Sequence, residues 1–380
     1  AGQVRMWQGV DGNGECGPDC EEQHATRSAQ GFGGMLRLAP DANGKVRVAR
    51  ISPGDSQITW DDVGQIWERR TTLPQVIPTP RSGIIAYIGD NLALTTTRHG
   101  LMLLLLTDNT VSISQLLYGE WCEVELSILL DFVKEGDIVI DVGAHIGSFA
   151  VPLAKRIGAR GRLIAFEPQS FLQSILGGNL ALNQLANSEV YPSIASNESR
   201  VLMLPALTYE TYANYGAYSF TRAEPFNAAA SDGAQKPVEV RTIDSLAFEG
   251  KCPALIKIDA EEMELQVLQG AMQTIMRCRP VMFMEGNSAE SIDAVLSLFA
   301  TMNYEVHLLV ISCFSSTNFR GESLNIFQQF PDTNYVALPF ERRSEWTLAP
   351  QLVQVDMSKR PFTFSHYTEA LNARGIFVKD

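Results

Sequence analysis

From residue 137 onward, short apolar runs of strand length alternate with longer segments of helical spacing. Ile138 to Val142 is apolar and β-branched apart from Asp141, the pattern of a strand buried on both faces of a parallel sheet. The alternation predicts strands over 137–142, 162–167, 188–194, 254–259, 280–285 and 304–311. Helices are predicted over 147–157, 170–184, 262–277 and 288–302. Such alternation builds a parallel sheet with right-handed crossovers. Residues 196–237 interrupt it as a long insertion.

Upstream the pattern changes. Residues 1–34 are rich in Gly, Asp, Glu and Gln with little periodicity and read as a loosely ordered arm. Residues 35–75 suggest short strands and a helix at WDDVGQIWERR, and VIPTPRSG at 76–83 reads as a linker. The runs IIAYIG, LALTTTR, LMLLLLT and VSISQLL alternate with turn residues and are expected as antiparallel strands capping one edge of the sheet. Leu101 to Leu106 is far shorter than the ~20 residues that span a bilayer and reads as a buried strand. The division expected is an N-terminal β-rich extension over 1–80, a catalytic domain over 81–340 and an unassigned tail over 341–380.

A hydrophobic content of 45% with 19% charged residues suits a folded globular chain rather than a disordered one. The formal net charge of −13 opposes sequence-independent nucleic-acid binding, because phosphate backbones must be neutralised by clustered Lys and Arg. The chain begins Ala1-Gly2, which leaves a removed leader or upstream segment open. Its six cysteines are dispersed and read as reduced core thiols, which favours the cytoplasm. Cys16, Cys20 and His24 have spacing for either a metal or a local disulfide.

The chemistry concentrates at the predicted strand tips, where open α/β sheets bind ligands. Asp141 is followed by the glycine turn Gly143-Ala144-His145-Ile146-Gly147, and Glu167-Pro168 closes the next strand. Gly143 permits a sharp turn, and Gly147 permits close approach of a cofactor or helix. A dinucleotide fingerprint would place a second glycine where Ala144 and His145 stand. Glu167 suits the two hydroxyls of a ribose or a helix-capping role. An acid in the first turn opposes a diphosphate and favours a cationic sulfonium, so Asp141 tips the reading toward S-adenosylmethionine.

These motifs carry a family resemblance. GEW at 119–121, GDIVIDVGAHIGSF at 136–149, GRLIAFEP at 161–168, NLALN at 179–183, NYG at 214–216, RTIDSL at 241–246, LIKIDAEEMELQVLQGA at 255–271 and RPVMFMEGN at 279–287 together resemble the FkbM-type S-adenosylmethionine-dependent methyltransferases over roughly residues 80–340. The resemblance implies a Rossmann-like class I sheet of seven strands, mostly parallel with the last antiparallel, completed by a strand near 333–338. It also implies Glu120, Asp141, Gly143, Ala144, His145, Gly147, Glu167, Pro168 and Ser196 as cofactor contacts, and Asn214, Tyr215 and Gly216 as substrate contacts. The chain departs from the family at His145, where Asn is usual, and at Glu261-Glu262, where an acid-glycine pair is usual.

The expected reaction is in-line methyl transfer to a hydroxyl of a sugar or natural-product-like small molecule, yielding S-adenosylhomocysteine. Asp259, Glu261 or His145 would take the proton, and Asp259 or Glu261 could instead help position a divalent metal. Two rivals stand beside it: a nicotinamide-dependent oxidoreductase on a similar sheet, and a cofactor-binding protein without turnover. No membrane span or nucleic-acid partner is expected, and monomer and homodimer both stay open.

Overall fold

The computed structural model describes side chains over residues 85–219, 234–286, 293–327 and 332–355, and backbone alone for short strands nearer the N-terminus and a few flanking positions. Two of those strands, β1 (Gln3–Val10) and β2 (Cys16–Thr26), pair antiparallel, and β3 (Arg37–Pro40), β4 (Val46–Arg50) and β5 (Thr59–Asp62) form a second small sheet. The expected arm over 1–34 therefore contains a hairpin. The side chains of Cys16, Cys20 and His24, the helix expected at WDDVGQIWERR beyond residue 62, the 76–83 linker and the tail beyond 355 lie outside the described residues.

A three-stranded antiparallel sheet follows: β6 (Ile84–Ile88), β7 (Leu92–Thr97) and β8 (Gly100–Leu105). The next run, VSISQLL, was expected as a strand but is α1 (Val111–Tyr118), with every residue buried. A short apolar run buried on all sides has no polar face to reveal its period. Its start is secured by Asp108, whose carboxylate accepts the amides of Thr110 (3.1 Å) and Ser112 (2.8 Å). Then come α2 (Glu123–Asp131), β9 (Ile138–Val142), α3 (Ala150–Ile157), β10 (Arg162–Phe166), α4 (Ser170–Leu182) and β11 (Ser188–Tyr191).

The strand predicted over 188–194 divides. Its second part, β12 (Ser193–Ala195), joins β13 (Arg200–Leu207) and β14 (Ala230–Arg241) in a separate sheet built by the insertion. The chain returns through β15 (Pro253–Ile258), α5 (Glu264–Gln269), α6 (Met272–Cys278), β16 (Val281–Glu285), α7 (Ala289–Thr301), β17 (Tyr304–Ile311), β18 (Asp332–Pro339) and β19 (Leu352–Gln354). The single helix predicted over 262–277 is broken at Gly270, where a Cβ would meet the Ser196 carbonyl oxygen at 1.9 Å.

The main sheet has the order β11-β10-β9-β15-β16-β18-β17-β19. β9, β10, β11, β15 and β16 run parallel, and β18 is antiparallel to both neighbours. The expected seven strands are all present, and β19, from the unassigned tail, adds an eighth. Strand order reverses between β9 and β15, the switch point where such sheets bind ligands. On β9 the side chains alternate: Val139 packs with α1 to α4, whereas Ile138, Ile140 and Val142 join the core that includes Leu268, Ile275 and Phe299. By this period of two, Asp141 points to the same side as Val139.

Four cysteines form disulfides, Cys122–Cys313 and Cys252–Cys278, and none among the described residues is free. This corrects the expectation of reduced thiols and removes the basis for placing the protein in the cytoplasm. The pairing of Cys122 and Cys313 spans 191 residues, so dispersion along the chain concealed it. Among the described residues, no helix is long and apolar enough to cross a membrane.

Candidate active site

Three strand tips and a loop converge at the switch point. Asp141 on β9 is fully buried and its Oδ1 lies 3.3 Å from Lys257 Nζ on β15. The same ammonium is 3.3 Å from Asp259 Oδ2 and 5.2 Å above the Phe149 ring. Burial alone would lower the Lys257 pKa, but the Asp141 and Asp259 carboxylates outweigh it and hold the pKa above its ordinary value. Burial raises the Asp141 carboxyl, with Lys257 opposing. Neither Asp141 oxygen has an aligned hydrogen bond, so the pair is coulombic and leaves acceptor capacity on the carboxylate.

The glycine turn is shaped by packing as well as by any ligand. Gly143 (φ +75°) lies against the β15 backbone, and its amide and that of Ala144 both donate to the Phe166 carbonyl (3.0 Å each). Those two amides are thus committed to β10 rather than to a cofactor. Gly147 (φ +95°) admits Leu176 of α4, whose Cδ1 would stand 2.8 Å from a Cβ, so the close approach there is by a helix.

Glu167 ends β10, 3% exposed. Its Oε2 accepts the His145 amide at 2.9 Å and Oε1 the Gln169 amide at 2.8 Å. Burial pushes its pKa up to about 7, against the lowering effect of those two amides. Pro168 follows, half-buried. His145 stands at φ +50°, a conformation Asn tolerates better than most residues, which accounts for the departure at this position costing little backbone change. Both ring nitrogens are buried without hydrogen-bond partners, and Nε2 is 3.9 Å from Asp108 Oδ2. Burial lowers the His145 pKa, and Asp108 counteracts this.

The Tyr-rich insertion lies on this edge. Gln169 Nε2 donates to the Tyr215 carbonyl (2.8 Å) and its Oε1 accepts from the Tyr209 hydroxyl (3.2 Å). Asn214 Oδ1 accepts the amides of Gly216 and Ala217, and a Cβ on Gly216 would stand 3.7 Å from the His145 ring. Tyr215 is fully buried and its hydroxyl donates to the Thr211 carbonyl (2.5 Å), so its side chain builds the loop while Gly216 stands beside His145. Ser196, 5% exposed, donates its amide to the Arg241 carbonyl.

Glu120 is 3% exposed, and its Oε2 accepts from Arg98 Nε and the Phe319 amide, both at 2.8 Å. It therefore clasps the 312–327 segment. Beyond β15, Asp259, Glu261 and Glu285 each offer a carboxylate oxygen within 4.8 Å of the others. Like charges so close favour a shared proton or a cation. Burial first, then the charges of Asp259 and Glu261, lift the Glu285 pKa well above its ordinary value.

Glu261 (φ +48°) and Glu262 (φ +78°) are both left-handed, the conformation for which the related motif uses glycine. A left-handed non-glycine residue costs on the order of 1 kcal/mol. Glu262→Gly is accordingly expected to raise the urea midpoint by an amount worth about 1 kcal/mol, read from equilibrium denaturation, and a lower midpoint would show that the Glu262 side chain compensates its strain.

Gln115, Ser148, Gln169 and Asp108 were not singled out in the sequence. The misassignment of 111–117 as a strand hid Gln115, because only a helix presents it toward the glycine turn, where its Nε2 donates to Ser148 Oγ at 2.9 Å.

The strand order, the glycine turn and the strand-tip acids define a Rossmann-like class I methyltransferase fold. Residues 141–306 match the family model described as the methyltransferase FkbM domain. No curated protein matches the chain. Similar solved structures include a methyltransferase FkbM from Methylobacillus flagellatus KT at 17% identity, with 53% of this chain and 43% of that chain covered and a TM-score of 0.35. Others are Trm5b from Pyrococcus abyssi (11%, 67% and 57%, TM-score 0.37) and a SAM-dependent methyltransferase from Aquifex aeolicus (16%, 59% and 93%, TM-score 0.31). The chain thus spans less than half the length of the Methylobacillus protein.

Proposed function

We propose that this protein transfers a methyl group from S-adenosylmethionine to a hydroxyl oxygen of a sugar or natural-product-like small molecule. The observation that carries the reading is the buried Glu167 carboxylate, whose two oxygens are aimed by the His145 and Gln169 amides at the tip of β10. Each oxygen keeps a lone pair for a ribose hydroxyl. Asp141 fits a positively charged group because its oxygens lack hydrogen bonds, and the same acid disfavours the diphosphate that a nicotinamide cofactor would bring. When bound, S-adenosylmethionine supplies a methyl group already activated by the sulfonium charge.

The chain's own work is alignment and proton removal. Of Asp259, Glu261 and His145, geometry favours Asp259 as proton acceptor. Its side chain is 38% exposed, which leaves it open to an acceptor molecule, and Lys257 holds it at 3.3 Å. Glu285 stands beside it. His145 and the Asn214–Gly216 loop would then form a wall of the acceptor site.

Calorimetry with S-adenosylhomocysteine tests the reading. Glu167→Ala is expected to weaken binding by ten- to a hundredfold, the usual loss for hydrogen bonds to a charged group. Ribose hydroxyls donate best to the carboxylate, so binding favours the deprotonated form. With the free-state pKa at about 7, affinity is expected to fall about tenfold per pH unit below that value and to level above it. Equal affinity for the two proteins, or a flat profile between pH 5 and 8, would remove the ribose assignment.

A further inference from the structure

The Gln115 side chain is 4% exposed. Its Nε2 is spent on Ser148 Oγ at 2.9 Å, and Ser148 immediately follows Gly147. Its Oε1 is buried with no partner. Leaving a buried amide oxygen unpaired forfeits its hydration with nothing in return, and such groups call for an explanation. The fold supplies none, because α1 is already capped by Asp108 and tied to the glycine turn through the other end of the same amide.

An amide oxygen can only accept, so its missing partner is an N–H or O–H donor and not a carboxylate. A second acceptor with spare capacity belongs to the same region: Asp141, immediately before the glycine turn, has both oxygens buried without hydrogen bonds, its Oδ1 lying 3.3 Å from the Lys257 ammonium. One acceptor group thus precedes the turn in the chain and the other is fastened to the residue following it. Two acceptors suit an ammonium, which has three protons to donate. The ribose end of the cofactor is assigned to Glu167, and the cofactor's only ammonium is on its amino-acid end.

We propose that Gln115 is a cofactor-binding residue, its Oε1 receiving the α-ammonium of S-adenosylmethionine together with Asp141. This rests on the cofactor reading above and adds to it a residue from outside the matched region 141–306. Ser148 is the positioning group that fixes the amide with its oxygen inward.

The test compares S-adenosylhomocysteine with 5′-methylthioadenosine, which keeps the ribose and adenine but lacks the amino-acid moiety. Calorimetry on wild type, Gln115→Leu and the near-isosteric Gln115→Met is expected to show S-adenosylhomocysteine weakened about tenfold or more in both variants. Methylthioadenosine should bind all three proteins within about twofold, which also certifies that the variants are folded. Unchanged S-adenosylhomocysteine affinity in the variants overturns the assignment, as does an equal loss for both ligands, which would mean general loosening. A wild type that binds neither compound instead sinks the cofactor reading itself.

Discussion

Gly143→Ala is expected to abolish cooperative folding of the domain. An added Cβ would lie 1.8 Å from the Asp259 carbonyl oxygen and 3.0 Å from its carbon. Both atoms are backbone, so no rotamer change relieves the overlap. The Asp259 amide in turn donates to the Val142 carbonyl at 3.1 Å, which locks the two strand tips together. Relief therefore requires β9 and β15 to separate at the switch point, and the φ of +75° adds strain for any L side chain. A cost of about 4 kcal/mol or more places this among the exceptional substitutions and consumes much of a domain's ordinary stability. Gly147→Ala provides the contrast, because its nearest neighbour is the flexible Leu176 Cδ1 at 2.8 Å; the expected loss there is about 1–3 kcal/mol. Urea denaturation of the three proteins reads the difference, and a Gly143→Ala protein within about 1 kcal/mol of wild type would show that the strand contact is not as tight as described.

The central sheet was legible because a buried parallel strand writes itself as a continuous apolar run. β9, β10, β15, β16 and β17 all fall where those runs stand, and Asp141 and Glu167 come out at strand tips as the pattern required. What the chain concealed depends on partners distant in sequence. The helix α1 is buried on every side and leaves no period to read. The break at Gly270 exists because Ser196 presses on it from the insertion. The purpose of Gly143 was read as a turn, but its sharper constraint comes from Asp259, over a hundred residues on. The disulfide between Cys122 and Cys313, likewise, joins two elements whose proximity only the folded chain reveals. Local chemistry can be read locally, and the contacts that commit it to one geometry cannot.

Lys257→Met is expected to destabilise the protein by about 3–5 kcal/mol, the usual consequence of removing one partner from a buried ion pair. Lys257 is 2% exposed and Asp141 is fully buried, so methionine fills the volume but leaves a carboxylate with neither counter-charge nor hydrogen bond. Asp259 also loses its partner, yet its side chain is 38% exposed and water screens it, so Asp141 dominates. The pH dependence follows from the sign of the shift. Burial already raises the Asp141 pKa, and Lys257 is the group that opposes this. Without the ammonium the folded-state pKa climbs further above the unfolded value. A carboxyl raised in this way favours the fold while protonated and loses that advantage as pH rises through the folded pKa. The deficit of the variant should therefore be small in mild acid and widen toward pH 8. Adding Asp141→Asn removes the stranded charge, so the double variant is expected to recover about half of the loss or more. Urea midpoints at several pH values decide the matter: a single variant as stable as wild type at pH 8, or a double variant no better than the single, would mean that the Asp141 carboxylate is neutralised by some group other than Lys257.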